Sequence, residues 1–236
     1  MKYDTILLDF DDTIVDFFDA EDRAFHQMAH HFGHYPTEED FQYFKKVNQN
    51  HWEAFQKNEL SKEEVLTHRF INYFKEYGID VDGKKADVLF RDELAKAPLK
   101  FFNSTLETID RLSQECELFI VTNGVTDTQK RRIAQLEFKD ILSGVYISEE
   151  TGYQKPMSEF FDYIFERIGE EKRKTSIIVG DSLTSDILGG KNAGITTCWF
   201  NYRNKENNSD IVPDYEIQSL YELVNLVEEW LITDLS

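Results

Sequence analysis

From residue 104 onward the chain alternates between two kinds of segment, and that alternation limits the possible folds more than any other feature. Short apolar runs, "LFIVTNG", "GVYIS", "TSIIVG" and "TTCWF", alternate with helix-length amphipathic stretches, the first of them "STLETIDRLSQE". The runs are too short for helices and lack the regular polar alternation of a half-exposed strand, so they read as strands covered on both faces. Strands spaced by helices imply right-handed crossovers and a parallel sheet with helices on either side. A further run of this kind, "TILL" at Thr5–Leu8, opens the chain. Between it and the alternating region, residues 19–102 show helical periodicity, many aromatics, few glycines and no convincing strand, with Pro98 closing the block. Ser61 with Glu64, Ser104 with Glu107 and Ser219 with Glu222 have capping-box spacing, in which serine and glutamate satisfy the first free amides of a helix. The expectation is an α/β chain: a Rossmann-like, doubly wound parallel sheet built from residues 1–16 and 99–236, with a helical domain at 17–98 inserted after the first strand.

At 236 residues and 41% hydrophobic content, the chain can bury one substantial core plus a smaller one. Lys and Arg number 26 against 45 Asp and Glu, a formal charge of -19 that repels phosphate backbones and anionic bilayers. Nucleic acid polymers and membranes are therefore not expected as partners. No apolar run approaches the roughly 18 residues of a membrane span, and no basic region followed by a hydrophobic block marks the N-terminus; a cytoplasmic location is expected. Cys116 and Cys198 lack metal-type spacing and sit beside or within predicted strands, so both read as reduced packing residues.

Open parallel sheets bind ligands beyond the carboxyl ends of their strands. The first strand ends in Asp9, Asp11, Asp12 and Thr13; "LFIV" ends in Thr122 and Asn123; "SIIVG" ends in Asp181, with Asp186 five positions on; and the loop "GYQKP" supplies Lys155. Side chains alternate along an extended backbone, so Asp9 and Asp11 can point the same way. Two such charges about 4 Å apart repel by roughly 4 kcal/mol at an effective dielectric near 20, so they require a positive partner. Taken singly, an acidic turn is usually just solvated and a Thr-Asn pair usually just a turn. Together, carboxylates on two strand ends, a hydroxyl on a third and one lysine suit a divalent cation plus a phosphoryl group, and magnesium needs only two or three protein oxygens. His26, His30 and His34 lie four apart in "FHQMAHHFGH", but no carboxylate completes an HExxH pattern, and they read as one face of a helix.

"DFDDT", the strand-ending "TN", "KP" and "GDSLTSD" resemble, in order and across the whole chain, the four motifs of haloacid dehalogenase-like hydrolases. The insertion resembles the helical cap of that superfamily's first cap class. "NQNHW", "VTNGV", "TGYQKP" and "AGITTCWF" are similar to its pyrimidine 5′-nucleotidase subgroup, bacterial enzymes that hydrolyse nucleoside monophosphates. The resemblance implies a magnesium-dependent phosphomonoesterase in which Asp9 is the nucleophile and Asp11 the acid-base residue. Asp9, Asp181 and the Asp11 carbonyl would hold Mg2+, and Thr122, the Asn123 amide and Lys155 would hold phosphate oxygens. Asp186 would stand behind them and orient Lys155 or the waters of the cation, while Asp12 and Thr13 read as loop-fixing residues that bond nearby backbone.

The implied partner is a small phosphate monoester, a nucleoside monophosphate in the subgroup reading, and the cap would carry specificity by closing over it. Phe17, Phe18, Asn48, Trp52 and Arg69 are the candidate contacts. The aromatics have an alternative role in the cap core, and Arg69 one in a surface ion pair. A sugar-phosphate phosphatase or a phosphomutase would use the same first step. A dehalogenase would not need an acid two residues after the nucleophile, and a signalling receiver domain carries its phosphorylated aspartate after a middle strand, not the first. One departure from the family pattern is "FFNSTLE" at residues 101–107, where relatives often carry a glycine or proline.

Overall fold

The computed structural model describes residues 3–233. They divide into two compact units, residues 3–16 with 99–233, and Phe17–Pro98. The first holds a six-stranded sheet, all parallel: β1 (Thr5–Leu8), β2 (Glu117–Thr122), β3 (Gly144–Ile147), β4 (Ser176–Gly180), β5 (Thr196–Phe200) and β6 (Tyr215–Ile217), in the order β3-β2-β1-β4-β5-β6. The parallel α/β architecture expected from the alternating pattern is therefore present. Strand β6, which the sequence did not suggest, is a three-residue edge strand beyond the polar loop, too short for any periodicity to register.

Every residue of β1 and β4 is buried, because helices cover both faces. The pleat divides their side chains between two cores: Ile6, Leu8, Leu118, Ile120, Ile177 and Val179 enter one, and Leu7, Phe119, Val121 and Ile178 the other. The crossovers are α5 (Thr105–Ser113), α6 (Thr126–Ile133), a single turn α7 (Ser148–Thr151) followed by α8 (Ser158–Ile168), and a π-helical turn at Leu183–Ile187 running into α9 (Leu188–Ala193); α10 (Tyr221–Thr233) follows β6. The chain order turns outward in both directions from the central pair β1 and β4. That is the topological switch point at which an open α/β sheet leaves a crevice beyond its strand ends.

In the second unit, α1 (Phe18–His31), α2 (Glu38–Gln56), α3 (Lys62–Lys75) and α4 (Gly83–Lys96) pack around Phe25, Phe41, Phe44, Phe70, Tyr73, Phe74 and Phe90. Phe25 stacks on Phe44 at 4.4 Å between ring centroids.

The capping expectations divide. Ser61 and Glu64 form a complete box on α3, and Thr37 with Asp40 forms another on α2, with threonine and aspartate in place of the serine–glutamate pair. Ser104 corrects the reading for α5. It lies at φ 64°, in the left-handed region, and its side chain makes no capping bond, because a cap needs extended backbone for the hydroxyl to meet the third amide. At Ser219 the Glu222 carboxylate accepts from the amides of Gln218 and Ser219, while the serine oxygen accepts from Tyr221 instead of Glu222. Both cysteines are free and buried, and burial pushes the Cys116 thiol up to about 11. Among the described residues no helix is long and apolar enough to cross a membrane.

Candidate active site

The two central strands deliver the acids. Asp9 follows β1 directly, and its amide donates to the Val179 carbonyl of β4 at 2.9 Å, extending the ladder by one residue. Phe10 is fully buried in the core, so alternation turns Asp9 and Asp11 away from it. The chain then reverses tightly: Asp12 takes φ 56°, its amide bonds the Val15 carbonyl, and the amides of Ile14 and Val15 return to the Phe10 carbonyl. Asp12 fixes this loop from outside, accepting from the Tyr202 hydroxyl at 3.0 Å. Thr13 does not do as the sequence suggests. It is buried, and its hydroxyl finds no hydrogen-bond partner among the described residues.

Lys155 is 1% exposed and uses all three of its ammonium protons, on Asp9 Oδ1 at 2.6 Å, Asp186 Oδ1 at 2.7 Å and the Val121 carbonyl at 2.7 Å. This is the positive partner that the acidic run required. The Asn123 side chain holds the lysine's loop to the end of β2: its oxygen accepts from the Lys155 amide, and its nitrogen donates to the Lys155 carbonyl and to Ser185 Oγ. Asp186 is equally buried, and its second oxygen accepts from the Ser182 amide at 3.1 Å. Gly180 makes room for it, since a Cβ there would lie 2.2 Å from the carboxyl group. Thr122 is 3% exposed, its hydroxyl accepting from Gln129 Nε2 at 2.9 Å and from the Gly124 amide at 3.3 Å.

Asp181 is oriented through its backbone, whose carbonyl accepts from Trp199 Nε1 at 2.9 Å. Its carboxylate has no hydrogen bond among the described residues and is pushed well above the usual range by burial and by the nearby Asp12, Asp186 and Asp9. Burial first, then Asp186 and Asp11, push Asp9 up to about 7 against the pull of Lys155. For Lys155, burial opposes the charge, but Asp186 and Asp9 outweigh it and its pKa ends above the ordinary lysine value. One ammonium thus faces more carboxylate charge than it can balance. Oxygens of Asp9, Asp181 and Asp186 lie within 4.8 Å of one another, and the second oxygen of Asp9 accepts no hydrogen bond among the described residues. A hard, all-oxygen donor set with uncompensated negative charge fits a small divalent cation.

Sequence reasoning missed two residues here. Arg132 Nη1 donates to Asp11 Oδ1 at 2.5 Å and Gln129 Nε2 to Asp11 Oδ2 at 3.0 Å, both from α6. The available signal was the run "TDTQKRRI", a helix with almost no apolar face that nevertheless covers the sheet, so that polar side chains have to be buried.

The second unit places its candidates differently. Arg69 is 3% exposed and donates to Asn48 Oδ1 at 2.9 Å and Asp87 Oδ1 at 2.8 Å, while Asn48 donates to Glu21 at 2.7 Å. Both therefore belong to a buried polar network joining α1, α2, α3 and α4, and the Arg69 pair with Asp87 is internal, not on the surface. Phe17 and Phe18 pack against the aromatic core, Phe18 edge-on to Phe41 with Lys45 above its ring. Trp52 is half-buried and lies outside that core, its indole under the Lys62 ammonium at 4.8 Å.

Residues 6–200 match the family model described as haloacid dehalogenase-like hydrolase. The HAD-hydrolase YfnB of Bacillus subtilis is 38% identical over 227 residues, 96% of each chain. Its crystal structure, described as bound to magnesium and as revealing interdomain movement, superposes with a TM-score of 0.90 over 96% of this chain and 99% of that one. The pyrimidine 5′-nucleotidases PynA of Streptococcus pneumoniae and YjjG of Escherichia coli are 31% and 32% identical, covering 97% of both chains for the first and 96% of this chain and 99% of the relative for the second.

Proposed function

The chain belongs to the haloacid dehalogenase-like hydrolases, and from that premise we propose that it is a magnesium-dependent phosphomonoesterase whose substrates are nucleoside 5′-monophosphates, pyrimidine ones preferred. The observation that carries this reading is the carboxylate of Asp9, gripped on one oxygen by Lys155 and open on the other, at the switch point between β1 and β4. An anchored oxygen fixes the attack direction of its twin, and a dianionic ester can be approached by a carboxylate only where positive charge is concentrated.

Asp9 attacks phosphorus with its open oxygen; the P–O bond to the sugar breaks, and an aspartyl phosphate forms. Asp11 gives the departing sugar oxygen its proton and then takes one from the water that attacks the intermediate, as microscopic reversibility asks. The Thr122 hydroxyl and the Asn123 backbone amide hold phosphate oxygens; Lys155, whose three protons are already bonded to Asp9, Asp186 and the Val121 carbonyl, supplies positive charge beside them without a bond of its own to phosphate, and Asp186 keeps it aimed. Asp9, Asp181 and the Asp11 carbonyl would hold the cation, with Asp186 close behind. Bound there, it screens the charge of nucleophile and phosphate. Residues 17–98 would serve as the cap and set specificity. The pyrimidine preference takes its support from the two nucleotidase relatives that match this chain over nearly its whole length.

Phosphate release with magnesium from a panel of nucleoside monophosphates, sugar phosphates and small phosphorylated acids tests the reading. Turnover of uridine and thymidine monophosphates above the rest is expected. Sugar phosphates turned over far better would leave the phosphatase and remove the nucleotidase; no phosphate release from any ester would remove both.

A further inference from the structure

We propose that Gln129 and Arg132, together with the space that Gly124 leaves for them, are positioning residues that lock the carboxyl group of Asp11 to the phosphate-binding end of β2. The proposal rests on Asp11 being the proton carrier. Each Asp11 oxygen accepts one bond from α6, Oδ1 from Arg132 and Oδ2 from Gln129, so the carboxyl plane is held at both ends. A carboxylate can accept about four hydrogen bonds. Two remain, one per oxygen, for a leaving group or a water.

Both donors are themselves held. Arg132 is 1% exposed with its guanidinium 4.9 Å from the Phe10 ring centroid, and Gln129 is 2% exposed. Arg132 Nη1 also donates to Gln129 Oε1 at 3.2 Å, which decides which way the Gln129 amide faces. The same Gln129 nitrogen that reaches Asp11 donates to the Thr122 hydroxyl at 2.9 Å. One amide thus ties the acid to a hydroxyl proposed to hold phosphate, and the distance between proton carrier and phosphoryl group is set by a single side chain. The second, independent observation is the glycine that follows Asn123. A Cβ on Gly124 would stand 2.3 Å from Gln129 Cγ and 2.5 Å from its Cδ. No positive φ calls for glycine at this position, so the demand is for room alone.

Buried polar side chains on a helix with one apolar neighbour are costly to keep unless they are paired, and the pairing here converges on one carboxylate. A misplacement of about 1 Å at a reacting group commonly slows a reaction on the order of a hundredfold. A phosphate ester whose leaving group needs no proton should not feel it.

The test compares kcat and KM, with magnesium, on uridine 5′-monophosphate and on 4-nitrophenyl phosphate, for wild type, Asp11→Asn, Arg132→Met, Arg132→Lys, Gln129→Leu, Gly124→Ala and the Asp11→Asn/Arg132→Met pair. Arg132→Met should lower kcat on the nucleotide about tenfold to a hundredfold more than on the nitrophenyl ester, with KM changed little, and Arg132→Lys should recover most of the loss. Gln129→Leu and Gly124→Ala should show the same selective loss plus a higher KM on both esters, because Thr122 loses its donor. In the Asp11→Asn background, Arg132→Met should cost less than about threefold more, the non-additivity of groups acting through one another. Equal losses on both esters, or full additivity in the pair, with Asp11→Asn itself selective, overturns the positioning role alone. An Asp11→Asn enzyme that loses both esters equally overturns the reading of Asp11 and this inference with it. Should Arg132→Met fail to fold, Gly124→Ala decides: no selective loss there overturns the proposal.

Discussion

Replacing Lys155 by methionine keeps the length of the side chain and removes its charge. In the native chain that ammonium makes three bonds, to Asp9, Asp186 and the Val121 carbonyl, and only 1% of the residue is exposed. Removing one partner from a buried charge cluster commonly costs about 3–5 kcal/mol, because the charges left behind are unpaired and out of water. Against a whole-domain stability of about 5–15 kcal/mol, the variant should fold but be much weakened. The loss should depend on pH. Asp9 is already raised from 3.8 to about 7 in the folded chain, by burial first, and Lys155 pulls it down; without the lysine it rises further. A carboxyl with a raised folded pKa favours the folded state below its unfolded value and loses that favour as pH climbs through the folded one. The Asp9 part of the Lys155→Met deficit against wild type should therefore be absent near pH 4, open as pH passes 7, where the wild-type carboxyl ionises, and level off only above the variant's own, higher Asp9 value. Urea unfolding with a chelator present, at pH 4.5 and pH 8, measures it. A deficit below about 1 kcal/mol at pH 8, or one of equal size at both pH values, would show that Lys155 does not balance these carboxylates, and the charge argument for the site would fall.

Asp9→Asn preserves shape and removes the nucleophile, so turnover should vanish while the thermal melt persists; more than a trace of metal-dependent activity contradicts the assignment. Asp181→Ala should raise the magnesium concentration needed for half-maximal activity at least tenfold, and should lower stability in chelator less than Lys155→Met does, since it removes a carboxyl group that no described side chain hydrogen-bonds. Gly180→Ala would set a methyl 2.2 Å from the Asp186 carboxyl group; kcat should fall and stability drop by roughly 1–3 kcal/mol, the usual cost of overpacking, and unchanged kinetics would place Asp186 outside the working site. Trp52→Ala should raise KM for uridine and thymidine monophosphates by about 1–3 kcal/mol in binding while sparing 4-nitrophenyl phosphate; equal losses on both would make Trp52 a stabiliser of its helix only.

The parallel sheet was legible in the chain because both faces of it are covered. That requirement writes unbroken apolar runs at β1, β2, β4 and β5 and polar residues where each strand stops, and a fixed topology brings those stops to one end. Asp9, Thr122, Asn123 and Asp181 could be grouped on that ground alone. Polar contacts between distant segments leave, at most, an unusually polar helix and never the identity of the partner. Gln129 and Arg132 meet Asp11 across 118 and 121 residues, from a helix whose sequence looks like solvent-facing surface. Asn48 and Arg69 have the composition of ligand-reading residues, yet folding closes them into a network with Glu21 and Asp87. Ser104 carries capping-box spacing and forms no box, because the chain enters α5 with left-handed backbone. Burial by a neighbouring layer is periodic and leaves its mark along the chain, so sequence alone determined the fold class and the row of residues at the strand ends. The partner of a single polar side chain is set by distance through space, and only the folded structure decided it.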